Sequence, residues 1–600
     1  MPLAEAVPPK RQPKRLLPSQ FAAADKPGLL VGSRRHQIVL REGRVELMIG
    51  PRVDWAAGLA EELPGLADIA RVVRRSPHPD WLTEPRPRIF VLRAALVQAE
   101  RTRLVIAAPR VKLLRMISTG VVDQEVYLSG VAAEVTINGV TVTSWRDDDT
   151  PDPVPALRRP FVSYDQPGSV LTVTNARFSY LGGDSILAYG VTWGRGTTGS
   201  AVGSTFDHNF FGAYSNAAVG LLFLRNTFRD NDLYGLDPHS DSRYLRIEDN
   251  EAFDNGSHGI IFSVNVVDSV VIGNRSFGNR VNGIMMDEHS DRNVLRDNQT
   301  WSNEGDGIVV QNSSKVLVSD NLSTGNRVGI RVTGKSLDSV LSANRLIGNR
   351  RGIEVYSGPA VAVGVKTTTL VTRNQITGDR RGDGILVKDF AGVRITGNTV
   401  HKYVNGILLS GSSPRARVTA NKLTGQVRGI EVDAEVTGAR LTHNVIESAR
   451  ERGLVLAGPR SVSEYDTITG SDIGVDVRND AAVTGVRVHD GRRGINLVSG
   501  TTTVAAADIA VHEYGVNVDR SAELRLHQSR IIADHPVVGA KFPKSAGNEV
   551  GNPPPPFPWL ALAGVLFVLI AVCLHLAHRR RAPACHPRRT AAPTGVRNAW

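Results

Sequence analysis

Asp237-Pro238-His239-Ser240-Asp241 interrupts a stretch of the chain that otherwise reads as short β-strands. A proline inside a strand paired on both edges removes a ladder hydrogen bond. The neighbouring carboxylates and imidazole add polar cost unless they face water or a ligand. Any chemistry the chain performs is expected here. Asp237, His239, His258, Asp287, Glu288, His289 and Asp306 fall at a similar phase of the pattern described next, and would line one face. Such a row could also hold a divalent cation such as calcium. No other cofactor is expected, and no residue is assigned to a metal. The plainer readings stay open: His239 as a solvent-facing turn residue, and 287–289 as a charged, solvated turn.

What must position these residues is an array. Glycine followed by an aliphatic residue recurs at Gly235, Gly259, Gly283, Gly307, Gly329, Gly352, Gly384, Gly406, Gly429, Gly453, Gly474, Gly494 and Gly515. Gly190 and Gly212 look like two earlier members. The spacing is mostly about 20–24 residues, the period of a solenoid. Asparagine keeps the same beat from Asn226 through Asn250, Asn274 and Asn298 to Asn444. Between the marks lie β-branched runs such as Val270-Val271-Ile272, too short for helices. Leucine-rich repeats share the period, but their leucine density and helical half-repeat are missing. The reading is all-β: a right-handed parallel β-helix of about fifteen coils, roughly 70 Å long. The asparagines would form a ladder of side-chain amides in a tight turn. The long interval around Ala360-Val361-Ala362-Val363-Gly364 reads as a loop at one corner.

The ends differ from the body. Residues 1–50 form a basic segment expected to lack order, 51–85 a helical cap, 86–540 the β-helix and 541–558 a Pro-rich linker. Trp55 to Arg75 carries Leu59, Leu63, Leu66, Ile69 and Val72 at helical spacing, with Pro64 as a kink or split. A helix there would cover the open end of the solenoid. Trp559 to Leu576 is apolar enough to be read as a transmembrane helix (559–577), followed by a basic tail (578–600). The Arg579-Arg580-Arg581 cluster would keep that tail cytoplasmic and put the solenoid outside, as a single-pass cell-membrane protein. Met1 to Leu30 has no apolar stretch of useful length, so a signal is expected upstream of the present start; a tail anchor is the alternative. The net charge is +12, but it sits mostly in the two ends. The near-neutral body and the lack of any nucleic-acid motif argue against nucleic acid as partner. Cys573 and Cys585 lie outside the solenoid, which excludes a cysteine-rich metal site in it.

From about Arg101 to Gly334 the chain resembles the periplasmic mannuronan C5-epimerases. The likeness runs through Thr143-Ser144-Trp145-Arg146-Asp147, Arg159-Pro160-Phe161, Phe178-Ser179-Tyr180-Leu181-Gly182, Ser204-Thr205-Phe206, Tyr214 and Phe228-Arg229-Asp230-Asn231. It ends in Tyr234-Gly235-Leu236-Asp237-Pro238-His239, which looks like the family's Asp-Pro-His-Asp signature. The resemblance implies an acidic polysaccharide as partner, His239 as base and Asp237 as its orienter or a sugar contact. Tyr234, Asp241, His258, Asn265, Asp287, Glu288 and His289 are the further substrate-binding candidates. Inverting C5 of a uronate removes a proton α to a carboxylate, which must be neutralised as charge builds up.

The family meets that need with a basic pair one coil on, and this chain departs from it. His258-Gly259-Ile260-Ile261-Phe262-Ser263 is followed by Val264-Asn265, and Asp287-Glu288 stands where the family tends to have Asp-Arg. Ser240 replaces the motif's last acid. Losing one preorganised charge contact costs about 3 kcal/mol of transition-state stabilisation. Arg243, Arg246 and Arg292 are the candidates to replace it. Three functions remain: a polyuronate C5-epimerase, a polysaccharide lyase, or a non-catalytic carbohydrate-binding or scaffold solenoid.

Overall fold

The computed structural model describes residues 35–119, 124–146, 150, 159–185, 187–357, 368–540, 546–553 and 559–579. Two compact units divide the chain, 1–551 and 552–600. The first is a parallel β-solenoid of about nineteen coils, so about 90 Å of stacked strands at ~4.8 Å per coil. Each coil gives one strand to each of three sheets, and the strands pair in register with those of the next coil. The sequence count of fifteen falls short for a definite reason. The coils that contribute Ala95–Gln98, Tyr127–Val131, Phe161–Asp165 and His535–Val538 to the first sheet lack the glycine beat.

The beat has a steric cause. A Cβ on Gly235 would lie 2.5 Å from the carbonyl oxygen of Gly259 in the next coil, so only glycine allows the corner to stack. The asparagine beat is a buried ladder: each backbone N–H from Asn226 to Asn421 donates to the next asparagine's Oδ1 at 2.9–3.0 Å. Asp466 ends it, accepting from the Asn444 N–H at 2.7 Å. A second ladder, not anticipated, runs Asn209-Asn231-Asn255-Asn279-Asn303-Asn326-Asn349 at 2.9–3.2 Å, just before the first sheet. It satisfies buried backbone donors at a corner where the strands themselves cannot.

The amino end differs from expectation in two places. Residues 36–58, partly assigned to an unstructured segment, form three antiparallel strands: β1 (His36–Arg41), β2 (Arg44–Ile49) and β3 (Arg52–Gly58). Strands thus begin well before residue 86, where the sequence placed the start of the β-helix, and β1 also pairs in parallel with Ala95–Gln98. The helix expected from Trp55 to Arg75 shrinks to α1 (Leu66–Val73), because Trp55 is taken into β3 and Pro64 bars an earlier start. Asp68 caps α1 by accepting the Gly65 N–H at 3.0 Å, and Leu66, Ile69 and Val73 join the solenoid core. The corner loop around Ala360 to Gly364 lies outside the described residues, as do 1–34 and 580–600.

The second unit contains α2 (Trp559–Arg579). Among the described residues no helix is long and apolar enough to cross a membrane. The single-pass membrane location inferred from the sequence, with its transmembrane helix and cytoplasmic tail, is therefore corrected.

Candidate functional site

The motif is the strand Leu236–His239 of the first sheet. Leu236 points into the core with Ile260 and Ile284, so Asp237 and His239 lie on the outer face. Upstream the strand pairs at all four positions with Ala213–Asn216. Downstream only Leu236↔Ile260 and an isolated His239↔Ser263 bridge remain, so the ladder is broken around Pro238 as the sequence implied.

Register sorts the outer face of this sheet into rows along the solenoid. The middle row runs Thr192, Tyr214, Asp237, Ile261, Met285, Val309. On one side lies Asn216, His239, Ser263, Asp287, Gln311. On the other, just before the glycine corner, lie Tyr189, Phe211, Tyr234, His258, Asn282 and Asp306. The four rings are in continuous contact, with centroids 4.7 Å apart for the stacked Tyr189–Phe211, 4.8 Å for the tilted Phe211–Tyr234 and 5.6 Å for the stacked Tyr234–His258.

The motif residues are buried. Asp237 is 1% exposed, and among the described residues its Oδ1 has no hydrogen-bond partner. Burial drives this carboxyl well above the usual carboxylate range, and the Ser263 hydroxyl offsets only part of that. His239 is 5% exposed, bonds the Ser240 hydroxyl through Nδ1 at 2.6 Å, and lies 5.7 Å from the Tyr214 ring. Burial lowers its imidazole to about 4, against the pull of Asp241, so it is neutral and able to accept a proton at neutral pH. Tyr214, buried beside Asp237, is held well above its ordinary value and stays a protonated phenol.

His258 is half-buried, accepts the Asn282 N–H on Nδ1 at 3.2 Å, and is also lowered to about 4 by burial. That bond leaves its proton on Nε2. His258 and the position opposite His239 stand at the two ends of one strand, about 16 Å apart at ~3.3 Å per residue. The two imidazoles therefore cannot act on one carbon atom together. Asp287 is pushed up to about 6 by burial and the nearby Glu288 charge, while Gln311 donates to it at 3.0 Å.

The remaining candidates occupy a turn beyond this face. Asp241, Asn265, Glu288 and His289 adopt positive φ there. Exposed Asn265, at the family's basic position, donates its side-chain amide to Asp241, and Asn312 donates to Glu288 at 3.3 Å. His289 is exposed at the end of that turn. None of the arginines considered as substitutes joins the rows: Arg246 pairs with Glu248, Arg292 with Asp268, and Arg243 lies over Tyr244. Asp306 is held by Arg327 and Arg331, at 3.0 and 3.1 Å.

Sequence reasoning named Tyr214 but missed Tyr189 and Phe211, which cluster with it on the outer face, and the role of the residue that anchors them. Arg159, fully buried, donates to the carbonyls of Gly182 and His208 and to Asp232 at 2.7–3.0 Å, fixing the turns on either side of Tyr189. The signal was present, since an aromatic or imidazole precedes each glycine corner from Gly190 to Gly259. Among the described residues no group of three or more His, Cys, Asp or Glu side chains could hold a metal ion.

Comparison with known proteins gives three findings. The family model described as periplasmic copper-binding protein (NosD) matches residues 174–361 and 354–458. The mannuronan C5-epimerase of Pseudomonas putida is 28% identical over 330 residues, 50% of this chain and 57% of that protein. The enzyme of the same name from Pseudomonas aeruginosa is 29% identical over 230 residues, 35% of this chain and 40% of that protein. The chain thus spans about half the length of the curated relatives it matches. The crystal structure of the periplasmic alginate epimerase AlgG aligns with a TM-score of 0.49 and 22% identity, covering 62% of this chain and 84% of that one. The chain is similar to the mannuronan C5-epimerases, as its motif indicated.

Proposed function

We propose that this solenoid acts on a polysaccharide containing uronyl residues and inverts them at C5, with His239 as the base. The observation that carries the reading is a neutral, buried imidazole beside Asp237 on the outer face of a strand whose downstream pairing is broken. The similarity to proteins named mannuronan C5-epimerase supports it. His239 would take the C5 proton, the electron pair would move toward the C6 carbonyl oxygen, and a proton would return from the opposite face. Water would supply that proton, and the Tyr214 phenol beside His239 would donate a hydrogen bond to the carbonyl oxygen. Asp237 would position the sugar through its carboxyl, and Tyr234 and His258 would form one wall for it. Expulsion of the C4 oxygen instead of reprotonation would make the protein a lyase, seen as ultraviolet absorbance of an unsaturated product.

A binding module is the second reading, favoured by one observation: Asn265 is neutral and tied to Asp241. Nuclear magnetic resonance of uronate polymers incubated with the protein in deuterated water separates the readings. Deuterium at C5 that disappears in His239→Gln supports the epimerase; tight binding with no exchange supports the module.

A further inference from the structure

The rows around His239 have a charge character opposite to what a polyanion needs. From the Thr192 coil to the Gln311 coil the three rows contain no lysine or arginine. They contain Asp237, Asp287 and Asp306, with Asp241 and Glu288 at the adjoining turn. The first cation in the middle row is Arg331, four strands beyond Asp237 and already paired with Asp306. The rest of that row is Ile261, Met285 and Val309, buried against Tyr234. A uronate polymer carries one negative charge per sugar, and in these rows each would meet neutral or acidic side chains and no arginine or lysine.

Proton removal sharpens the point. Taking the proton α to a free carboxylate produces two negative charges on adjacent atoms, which requires a cation or an equivalent donor set. Taking it α to an ester or amide carbonyl produces a single enolate charge, which neutral donors can hold. Neutral donors are what this site has: the Tyr214 phenol and the buried Asp237 carboxyl, whose Oδ1 lacks a partner among the described residues. A carboxylic acid kept neutral in an apolar site is a competent hydrogen-bond donor to such an oxygen.

We infer that the uronyl residue seated over Asp237 and His239 carries its C6 carboxyl in uncharged form, as an ester or amide. The inference rests on the epimerase reading and narrows its substrate class. In the step, the C5–H bond breaks toward His239 and its electron pair enters the C5–C6 bond, leaving the charge on the carbonyl oxygen. A proton from water then reaches C5 on the opposite face, and His239 releases its own to solvent, so no oxidant or co-reactant is needed.

The test compares oligomannuronate with its methyl ester. Deuterium exchange at C5 by the intact protein should have a kcat/KM on the order of a hundredfold higher for the ester. Asn265→Arg should raise kcat/KM for exchange on the free acid and so narrow its gap to the ester. Calorimetry with His239→Gln should show tighter binding of the ester. Free acid exchanged as fast as the ester overturns the inference and leaves the epimerase reading intact. Exchange on neither overturns the epimerase reading; calorimetry then decides the carboxyl preference, and equal or tighter binding of the free acid overturns it.

Discussion

Asp237 and Asp476 occupy the same middle row of the same sheet, ten strands apart in register, and each is 1% exposed. Their surroundings differ. Asp476 is paired with Arg452 at 3.1 Å and Arg478 at 2.9 Å, and accepts from Asn496 at 2.8 Å. Asp237 has no cation beside it among the rows, and one of its oxygens lacks a partner among the described residues. The contrast extends to their neighbours. From Arg327 onward the face carries ion pairs such as Arg351–Glu354 and Arg428–Glu431, whereas from Tyr189 to Val309 its rows hold aromatic, imidazole, aliphatic, amide and acidic side chains and no lysine or arginine. One scaffold thus carries two surfaces. The carboxyl at Asp476 is paired with two arginines, whereas the equally buried one beside His239 has no arginine or lysine in its rows. That is the mark of a site rather than of a structural coil.

The largest effect that should separate the two regions is on turnover. His239→Gln is expected to lower C5 exchange by about 10²–10⁴-fold. Asp476→Asn should leave that rate unchanged, and loss of activity in both would erase the distinction. Stability should show the reverse order. Asp476→Asn leaves Arg452 and Arg478 facing a neutral group, at a cost of about 1–3 kcal/mol. Asp237→Asn should be neutral or stabilising near neutral pH, because it removes a carboxyl that burial already keeps from ionising. A solenoid need not unfold as one unit, so amide hydrogen exchange in the flanking strands is the suitable readout.

The pH dependence also belongs to one region. His239 and His258 titrate at about 4 in the fold and at ~6.5 unfolded. Between those values the unfolded chain binds more protons, so stability contributed by the site coils should fall as pH drops from 6.5 toward 4. Asp287, raised to about 6, acts in the opposite sense, losing stability as pH rises through that value. Replacing both histidines with Gln should flatten the acid-side loss in the site coils alone, as followed by hydrogen exchange against pH. The smallest effect is expected at the turn: Asp241→Ala, which frees Asn265, should change stability by no more than about 0.5 kcal/mol in a thermal melt.

Much of this was legible in the sequence. Glycine at each corner and the Asn226–Asn444 ladder are forced by sterics and by buried backbone donors, so spacing alone exposes them. The first coils were hidden because their strands meet without a glycine corner, and β1–β3 because an antiparallel extension leaves no repeat. The second ladder was equally periodic, from Asn231 through Asn255 to Asn349, and was overlooked beside the first. The phase of Tyr234, His258 and Asp306 could be read from the period. The burial of Asp237 and His239 could not, since it depends on Tyr189 and Phe211 from earlier coils and on Arg159, which fixes the turns around Tyr189. Nor could the sequence tell that Asn265 is engaged by Asp241.

The most direct test of a site confined to these coils is a crystal structure of His239→Gln with a uronyl oligosaccharide ester. The account predicts a sugar lying across the rows from Tyr214 to Asp287, with C5 within about 3.5 Å of the residue-239 side chain. Sugar bound instead along the ion-paired coils after Arg327, with the Asp237 face empty, would contradict it.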